Sequence, residues 1–199
     1  MIKAIIFDLG GVLLEDPQPG MIVHYSKNLN VTKEKFLEVF AQYEADWQKG
    51  KFSEEQFWDR ITTCLHRTKP QVESLWLDGI LSVYKEKKEV FDLIKKLKQY
   101  GYTIALLTNT EIPVMNYIKK LKWEDFDLFI YSCEVGMRKP ERKIYELALQ
   151  KLKIQPGEAV FIDDKQENIN AAEEVGIHGI VFENANQLSE QLRNVGIAI

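Results

Sequence analysis

The 199-residue chain is 45% hydrophobic and 28% charged with a formal net charge of -4, so it can bury a sizeable core as one domain with an insertion or as two small ones. Its lysines are scattered among acidic residues, which excludes the basic footprint of a nucleic-acid or anionic-membrane binder. No apolar run approaches membrane-spanning length and no leader-like segment precedes the first strand-like run, and Cys64 and Cys133 lack the spacing of a metal or redox motif; the expectation is a cytoplasmic protein with free thiols.

The run Lys3-Ala4-Ile5-Ile6-Phe7 has the pattern of a strand buried on both faces, and it ends in Asp8 followed by Gly10 and Gly11. Glu15 to Gly20 reads as loop because Pro17, Pro19 and Gly20 interrupt regular structure. From there to about residue 85 the pattern is helical and aromatic-rich. Thr32 is placed to cap a helix carrying Phe36, Phe40, Tyr43 and Trp47 toward Gly50, Ser53 with Gln56 forms a capping box for a helix over 54–66, and a third helix is expected near Pro70. Trp47, Trp58 and Trp76 at helical spacing are what the core of a small helical bundle requires. His24, His66 and His178 show no metal-ligand spacing.

Beyond residue 88, helices and strands alternate. An amphipathic helix closed by Gly101 leads to a strand over Tyr102 to Leu107, and a helix at 112–120 precedes the apolar run Leu128 to Tyr131. The run Ala159 to Ile162, a helix to Val175, a strand from Gly179 to Phe182 and a helix over 187–194 complete the chain. Strands separated by helices imply right-handed crossovers and a mostly parallel sheet covered on both faces.

In such sheets ligands bind beyond the carboxyl ends of the strands, near a switch point. Asp8 ends the first predicted strand, Thr108-Asn109 the second and Asp163-Asp164 the fourth, while Lys139 lies in the loop after the third and can reach the same rim. Separately, Thr108-Asn109 and Asp163-Asp164 read as helix caps and Lys139 as a solvated cation. Together they make a set suited to phosphate chemistry with a divalent cation. The carboxylates supply hard oxygen ligands for Mg²⁺, Lys139 and Thr108 hold phosphate oxygens, Gly11 permits close backbone approach, and Asp8 is placed to attack phosphorus.

These stretches resemble the four motifs of the haloacid dehalogenase superfamily: Phe7-Asp8-Leu9-Gly10-Gly11-Val12, Leu106-Leu107-Thr108-Asn109, Gly136-Met137-Arg138-Lys139-Pro140 with Ile144-Tyr145, and Phe161-Ile162-Asp163-Asp164 with Asn168. The Asp-Leu-Gly opening and the Arg-Lys-Pro-Glu stretch look most like the α-D-glucose-1-phosphate phosphatase-like branch. The resemblance implies an α/β, Rossmann-like, doubly wound core over residues 1–13 and 87–199, with a helical-bundle cap over 14–86 inserted after the first strand. It also implies an aspartyl-phosphate mechanism, with Asp8 as nucleophile and Thr108 and Lys139 on the phosphoryl group. Asp8, the Gly10 carbonyl and Asp164 would bind Mg²⁺, Asp163 would act through water or orient Lys139, Asn109 would line the pocket and Asn168 would support the acidic loop. The expected partner is a small phosphorylated metabolite, acted on by a monomer or homodimer.

Gly10 departs from the family pattern, in which most phosphatases carry a second Asp that protonates the leaving oxygen. Losing general acid-base assistance removes about 10² to 10⁴ in rate, roughly 3 to 5 kcal/mol. That loss matters least for an acidic leaving oxygen, so a sugar 1-phosphate is the favoured substrate, with Glu15 or Asp16 as candidate replacement acids. Two other readings compete: a metal-independent 2-haloacid dehalogenase, disfavoured by the adjacent Asp163 and Asp164, and a phosphate-binding or regulatory protein with little turnover.

Overall fold

Five apolar runs pair as one parallel sheet in the computed structural model, which describes residues 1–199. In chain order the elements are β1 (Ala4–Phe7), α1 (Gln18–Leu29), α2 (Lys33–Phe40), α3 (Glu44–Gln48), α4 (Glu54–Leu65), α5 (Leu75–Leu81), α6 (Lys88–Gln99), β2 (Thr103–Thr108), α7 (Ile112–Leu121), β3 (Leu128–Tyr131), α8 (Ser132–Val135), α9 (Arg142–Leu152), β4 (Ala159–Asp163), α10 (Gln166–Glu174), β5 (His178–Val181) and α11 (Ala185–Asn194). The strand order β3-β2-β1-β4-β5 puts β1 at the centre, between β2 on one side and β4 on the other. The chain therefore changes direction beside β1, and the switch point falls at its carboxyl end. This is the expected α/β, Rossmann-like arrangement.

Every residue of β1 is buried, and alternate side chains enter opposite layers, Ile5 and Phe7 one core and Ile6 the other. Burial on both faces explains why the strand reads as continuous rather than alternating apolar sequence. No helix is long and apolar enough to cross a membrane.

Helices α1 to α5 leave and re-enter the sheet layer through two linkers that pair with each other. Leu14 bridges Glu86, the Glu15 amide donates to the Lys85 carbonyl at 2.9 Å, and the Lys87 amide donates to the Leu13 carbonyl at 2.8 Å. The five helices enclose an aromatic cluster: Trp47 stacks on Phe57 at 4.6 Å and Tyr25 on Trp76 at 5.0 Å, with the Tyr25 hydroxyl donating to the Trp76 carbonyl at 2.8 Å. Trp47 and Trp58 are fully buried, as a bundle core demands.

Local boundaries differ from the sequence reading where side chains outside the helix decide them. The first helix starts at Gln18, inside the expected loop, because Pro19 falls in its first turn, where a missing N–H is harmless. The stretch expected as one helix up to Gly50 breaks after Phe40 and resumes at Glu44. The third helix begins at Leu75 rather than near Pro70. Ser74 accepts from the Leu77 amide at 3.0 Å and donates to Glu54 Oε2 at 2.7 Å, and Glu54 also takes the Trp76 amide, so a contact 20 residues away sets the start. Strand β5 lies one residue earlier than expected, in register with Val160 to Asp163. The Thr32 cap and the Ser53–Gln56 capping box form as expected.

The helices touch the sheet layer where Gly50, with φ +69°, packs on the backbone of Cys133. A Cβ at Gly50 would collide with the Cys133 carbonyl oxygen in a backbone region that disfavours side chains. Gly50→Ala is expected to lower unfolding free energy by about 2 kcal/mol, measured by urea denaturation; an unchanged midpoint would contradict this packing.

Candidate active site

The ladder between β1 and β4 runs one residue past the strand, with the Asp8 amide donating to the Ile162 carbonyl at 2.9 Å. That fixes the Asp8 backbone on the rim of the central strand, where the residue is 8% exposed. Across the rim lies Lys139, 1% exposed, with Nζ 2.7 Å from Asp8 Oδ1 and 2.6 Å from Asp163 Oδ2. A lysine this buried requires paired charges, and it has two.

Asp163 is fully satisfied. Its Oδ1 accepts from the Lys165 amide and from Asn168 Nδ2, both at 2.9 Å, while Oδ2 accepts from Asn168 Nδ2 at 3.0 Å as well as from Lys139. Of the two roles the resemblance offers, this geometry matches orienting Lys139. Asp164 is the opposite case, because its Oδ1 is buried and has no partner. Carboxylate oxygens of Asp8, Asp163 and Asp164 lie within 4.8 Å of one another. Three carboxylates face one ammonium, and the uncompensated charge together with the orphaned Asp164 oxygen fits a hard divalent cation.

Electrostatics follow this geometry. Burial pushes the Asp8 carboxyl up to about 6, Lys139 opposes the shift and Asp163 adds to it. Burial alone would lower the Lys139 ammonium, yet Asp8 and Asp163 outweigh it and hold the group above its ordinary value. Asp164 is also raised, by burial first and by Asp163 second.

Asn109 clamps Lys139 rather than presenting free groups to the cleft. Its Oδ1 accepts the Lys139 amide at 2.8 Å and its Nδ2 donates to the Lys139 carbonyl at 2.9 Å. Thr108 is buried beside it on the cleft wall, its hydroxyl only 3.4 Å from the Asn109 carbonyl, a long contact that leaves it free to turn to a ligand. The residues that follow are tied to the start of α8, since the Thr110 amide donates to Ser132 Oγ at 2.8 Å.

The two glycines separate. Gly11 has φ +80°, its Cα faces the Asp164 carboxylate, and its carbonyl accepts from Lys87 Nζ at 2.6 Å. It lies behind the cleft wall, so its small size serves the acidic cluster. Gly10 lines the cleft, its φ is not positive, and a Cβ there would meet only Pro17 Cδ at 3.5 Å, an ordinary contact. The backbone does not demand glycine at position 10. Of the two candidate replacement acids, Asp16 lines the cleft, whereas Glu15 pairs with Lys85 at 3.5 Å.

The cleft, about 160 Å³, runs from the acidic rim to the five-helix bundle. Tyr25, Phe40 and Trp76 form its far wall, while Tyr43, Trp47 and Trp58 do not reach it. Two further cleft residues escape sequence reasoning. Arg138 carries a buried Nε without a partner, and Glu111 accepts Trp76 Nε1 at 2.9 Å while 5% exposed. Arg138 sits inside a motif whose neighbour draws the attention, and Glu111 precedes a helix where a carboxylate is an ordinary start signal.

The whole arrangement has known counterparts, and a profile of haloacid dehalogenase-like hydrolases matches residues 2–176. The chain belongs to this family. As a haloacid dehalogenase-like hydrolase it is 31% identical over 189 residues to mouse acyl-CoA dehydrogenase family member 10, covering 89% of this chain but 18% of the mouse protein. It is 26% identical over 200 residues to the sesquiterpene phosphatase astK of Aspergillus oryzae, covering 97% of this chain and 96% of that one. Among solved structures, a HAD family enzyme of Bacteroides thetaiotaomicron in complex with magnesium and inorganic phosphate superposes with a TM-score of 0.77 at 29% identity, covering 92% of this chain and 95% of the other.

Lys139→Met leaves Asp8 and Asp163 buried and unpaired, which is expected to lower stability by about 3 to 5 kcal/mol near neutral pH in chelator. The pH dependence has a definite sign. The Asp8 pKa is raised above its ordinary 3.8, so folding disfavours its charged form. That penalty is fully present above about 6 and vanishes as pH falls below the ordinary value. The deficit of the variant, measured by denaturant titration, should therefore shrink between about pH 7.5 and about pH 4.5; a constant deficit would contradict the assignment.

Proposed function

We propose that this hydrolase is a Mg²⁺-dependent phosphatase that cleaves a small phosphate monoester through an aspartyl-phosphate on Asp8. The observation that carries the reading is the buried Lys139 bridging Asp8 and Asp163 beside the unpartnered Asp164 oxygen. Asp8, the Gly10 carbonyl and Asp164 would hold the cation, and Asp163, its oxygens already occupied, keeps Lys139 in place. When bound, Mg²⁺ supplies charge that offsets the carboxylates and the phosphate. The magnesium and phosphate in the Bacteroides relative support this reading.

The chain's own residues do the remainder. Lys139 holds Asp8 Oδ1, leaving the second carboxylate oxygen to attack phosphorus as the ester P–O bond breaks. Thr108 and Lys139 donate to the phosphoryl oxygens as charge redistributes. Water then attacks the phosphorus of the aspartyl-phosphate, releasing inorganic phosphate and restoring the Asp8 carboxylate. Residues 14–86 act as a cap that swings on the paired linkers at Leu14 and Glu86 and excludes bulk water when shut.

With glycine at position 10 no carboxyl stands where the family's acid usually does, so the leaving oxygen must depart with little help. This favours sugar 1-phosphates, whose anomeric oxygen is comparatively acidic. Dehalogenation at carbon fits less well, because the three clustered carboxylates would oppose a substrate carboxylate and a departing halide without a cation.

The direct test is phosphate release from p-nitrophenyl phosphate with and without Mg²⁺. Asp8→Asn is expected to cut the rate by about 10³ or more, and excess chelator to do the same; chelator-resistant halide release from a 2-haloacid would overturn the reading. Because Gly10 tolerates a side chain sterically, Gly10→Asp should fold normally and accelerate alkyl phosphates by about 10² or more while changing aryl phosphates less. Equal effects on both classes would remove the leaving-group argument.

A further inference from the structure

Three cations line the cleft: Lys139, Lys165 and Arg138. Lys139 is paired with Asp8 and Asp163, and Lys165 offsets the charge of Asp164. Arg138 has no such counterpart. Its Nε is buried and donates to nothing, and no carboxylate lies within ion-pair distance of its guanidinium. Arg60, Arg67 and Arg142, all exposed, each donate to the protein instead. A desolvated N–H without an acceptor carries a cost that a ligand anion removes. The backbone beneath this side chain is fixed, since the Arg138 carbonyl accepts the Glu141 amide at 2.8 Å and Asn109 grips Lys139 from both sides. Lys49 pairs with Glu141 and Gly50 packs on Cys133, so the end of α3 is seated against the segment that carries Arg138. Arg138 therefore stands where sheet rim and bundle meet, and it is not among the groups that chiefly set the charge of Asp8.

We propose that Arg138 is a specificity-determining residue that binds a second anionic group, a carboxylate or a further phosphate, on the leaving group of the ester. This rests on the phosphatase reading above and assigns a selecting residue to the sheet layer rather than to the bundle. The planar fork of N–H donors matches two oxygens of either anion, a geometry that a lysine does not reproduce. The acids at the same end already have partners: Glu111 accepts Trp76 Nε1 at 2.9 Å and is also held by Gln48, and Glu44 accepts from Gln48 Nε2 at 3.5 Å. Burial raises the Glu111 carboxyl to about 7, so near neutral pH it opposes a ligand anion with only part of its charge. The rival partner for Arg138 is Glu44, which lines the same cleft without a paired cation.

The test uses aryl phosphates of similar leaving-oxygen acidity: p-ethylphenyl phosphate, p-(carboxymethyl)phenyl phosphate and p-(phosphonomethyl)phenyl phosphate, the last two separating a carboxylate from a phosphate-like anion. The readout is the ratio of kcat/KM values measured with Mg²⁺ on one preparation, which is insensitive to the fraction folded. Wild type should favour at least one anionic ester by about tenfold or more. Arg138→Met should reduce that preference by about fivefold or more, mainly through KM, and Arg138→Lys should keep part of it. Glu44→Gln should leave the preference in place or raise it, because Glu44 repels the anion; a loss equal to that of Arg138→Met would assign Arg138 to an ion pair with Glu44 and overturn the inference. Wild type without preference for either anionic ester, or Arg138→Met losing all three esters in parallel, would also overturn it while leaving the phosphatase reading intact. Hydrolysis of neither these esters nor p-nitrophenyl phosphate would instead defeat the phosphatase reading, and the inference with it.

Discussion

A single ammonium group buried between two carboxylates organises the rim of this sheet. Lys139 arrives from the loop after β3, Asp8 from β1 and Asp163 from β4, so three separate segments converge on one charge. The lysine offsets the charge of both buried carboxylates, and they in turn hold its ammonium above its ordinary value against burial. The supporting contacts share one purpose. Asn109 grips the Lys139 backbone from both sides, Asn168 and the Lys165 amide hold Asp163, and Gly11 leaves room for Asp164. The result is a site in which one oxygen of Asp8 is fixed and a cluster of negative charge awaits compensation.

The helical bundle completes the cleft with a different chemistry. Its aromatic core is ordinary packing, yet one face, through Tyr25, Phe40 and Trp76, becomes the wall opposite Asp8. Trp76 is also linked to the sheet layer through Glu111, and Lys49 reaches Glu141 at 2.5 Å. Bundle and sheet therefore meet through apolar packing, the close approach of Gly50 to Cys133 and a few polar contacts beside the cleft.

Much of this was legible in the chain. The buried runs, the residues at their carboxyl ends and the capping box at Ser53 are local signals, and they place β1, β3, β4 and the α4 start correctly, with β2 one residue later than expected. What escaped was set by contacts distant in sequence. Ser74 rather than Pro70 starts α5 because Glu54 anchors it, and Asn109 lines the cleft as expected but with its amide engaged by the Lys139 backbone, a contact 30 residues away. Glu111 carries no spacing signal, and Arg138 is read only as a neighbour of Lys139 in its motif. Glu111 is buried beside the cleft and Arg138 has a buried, unpartnered Nε there, which only the assembled fold reveals. Gly10 and Gly11, adjacent and identical in sequence, differ because one faces open cleft and the other a carboxylate.

The central claim is that Asp8 is the group that takes the phosphoryl. It is tested most directly by mixing the protein with Mg²⁺ and a phosphate ester it hydrolyses, quenching in acid and reducing with borohydride, which converts an aspartyl-phosphate to homoserine. Mass spectrometry of the peptide spanning residues 4–14 should then show homoserine at position 8 only after exposure to substrate. Phosphate release with position 8 unmodified and reduction at another carboxylate would contradict the account.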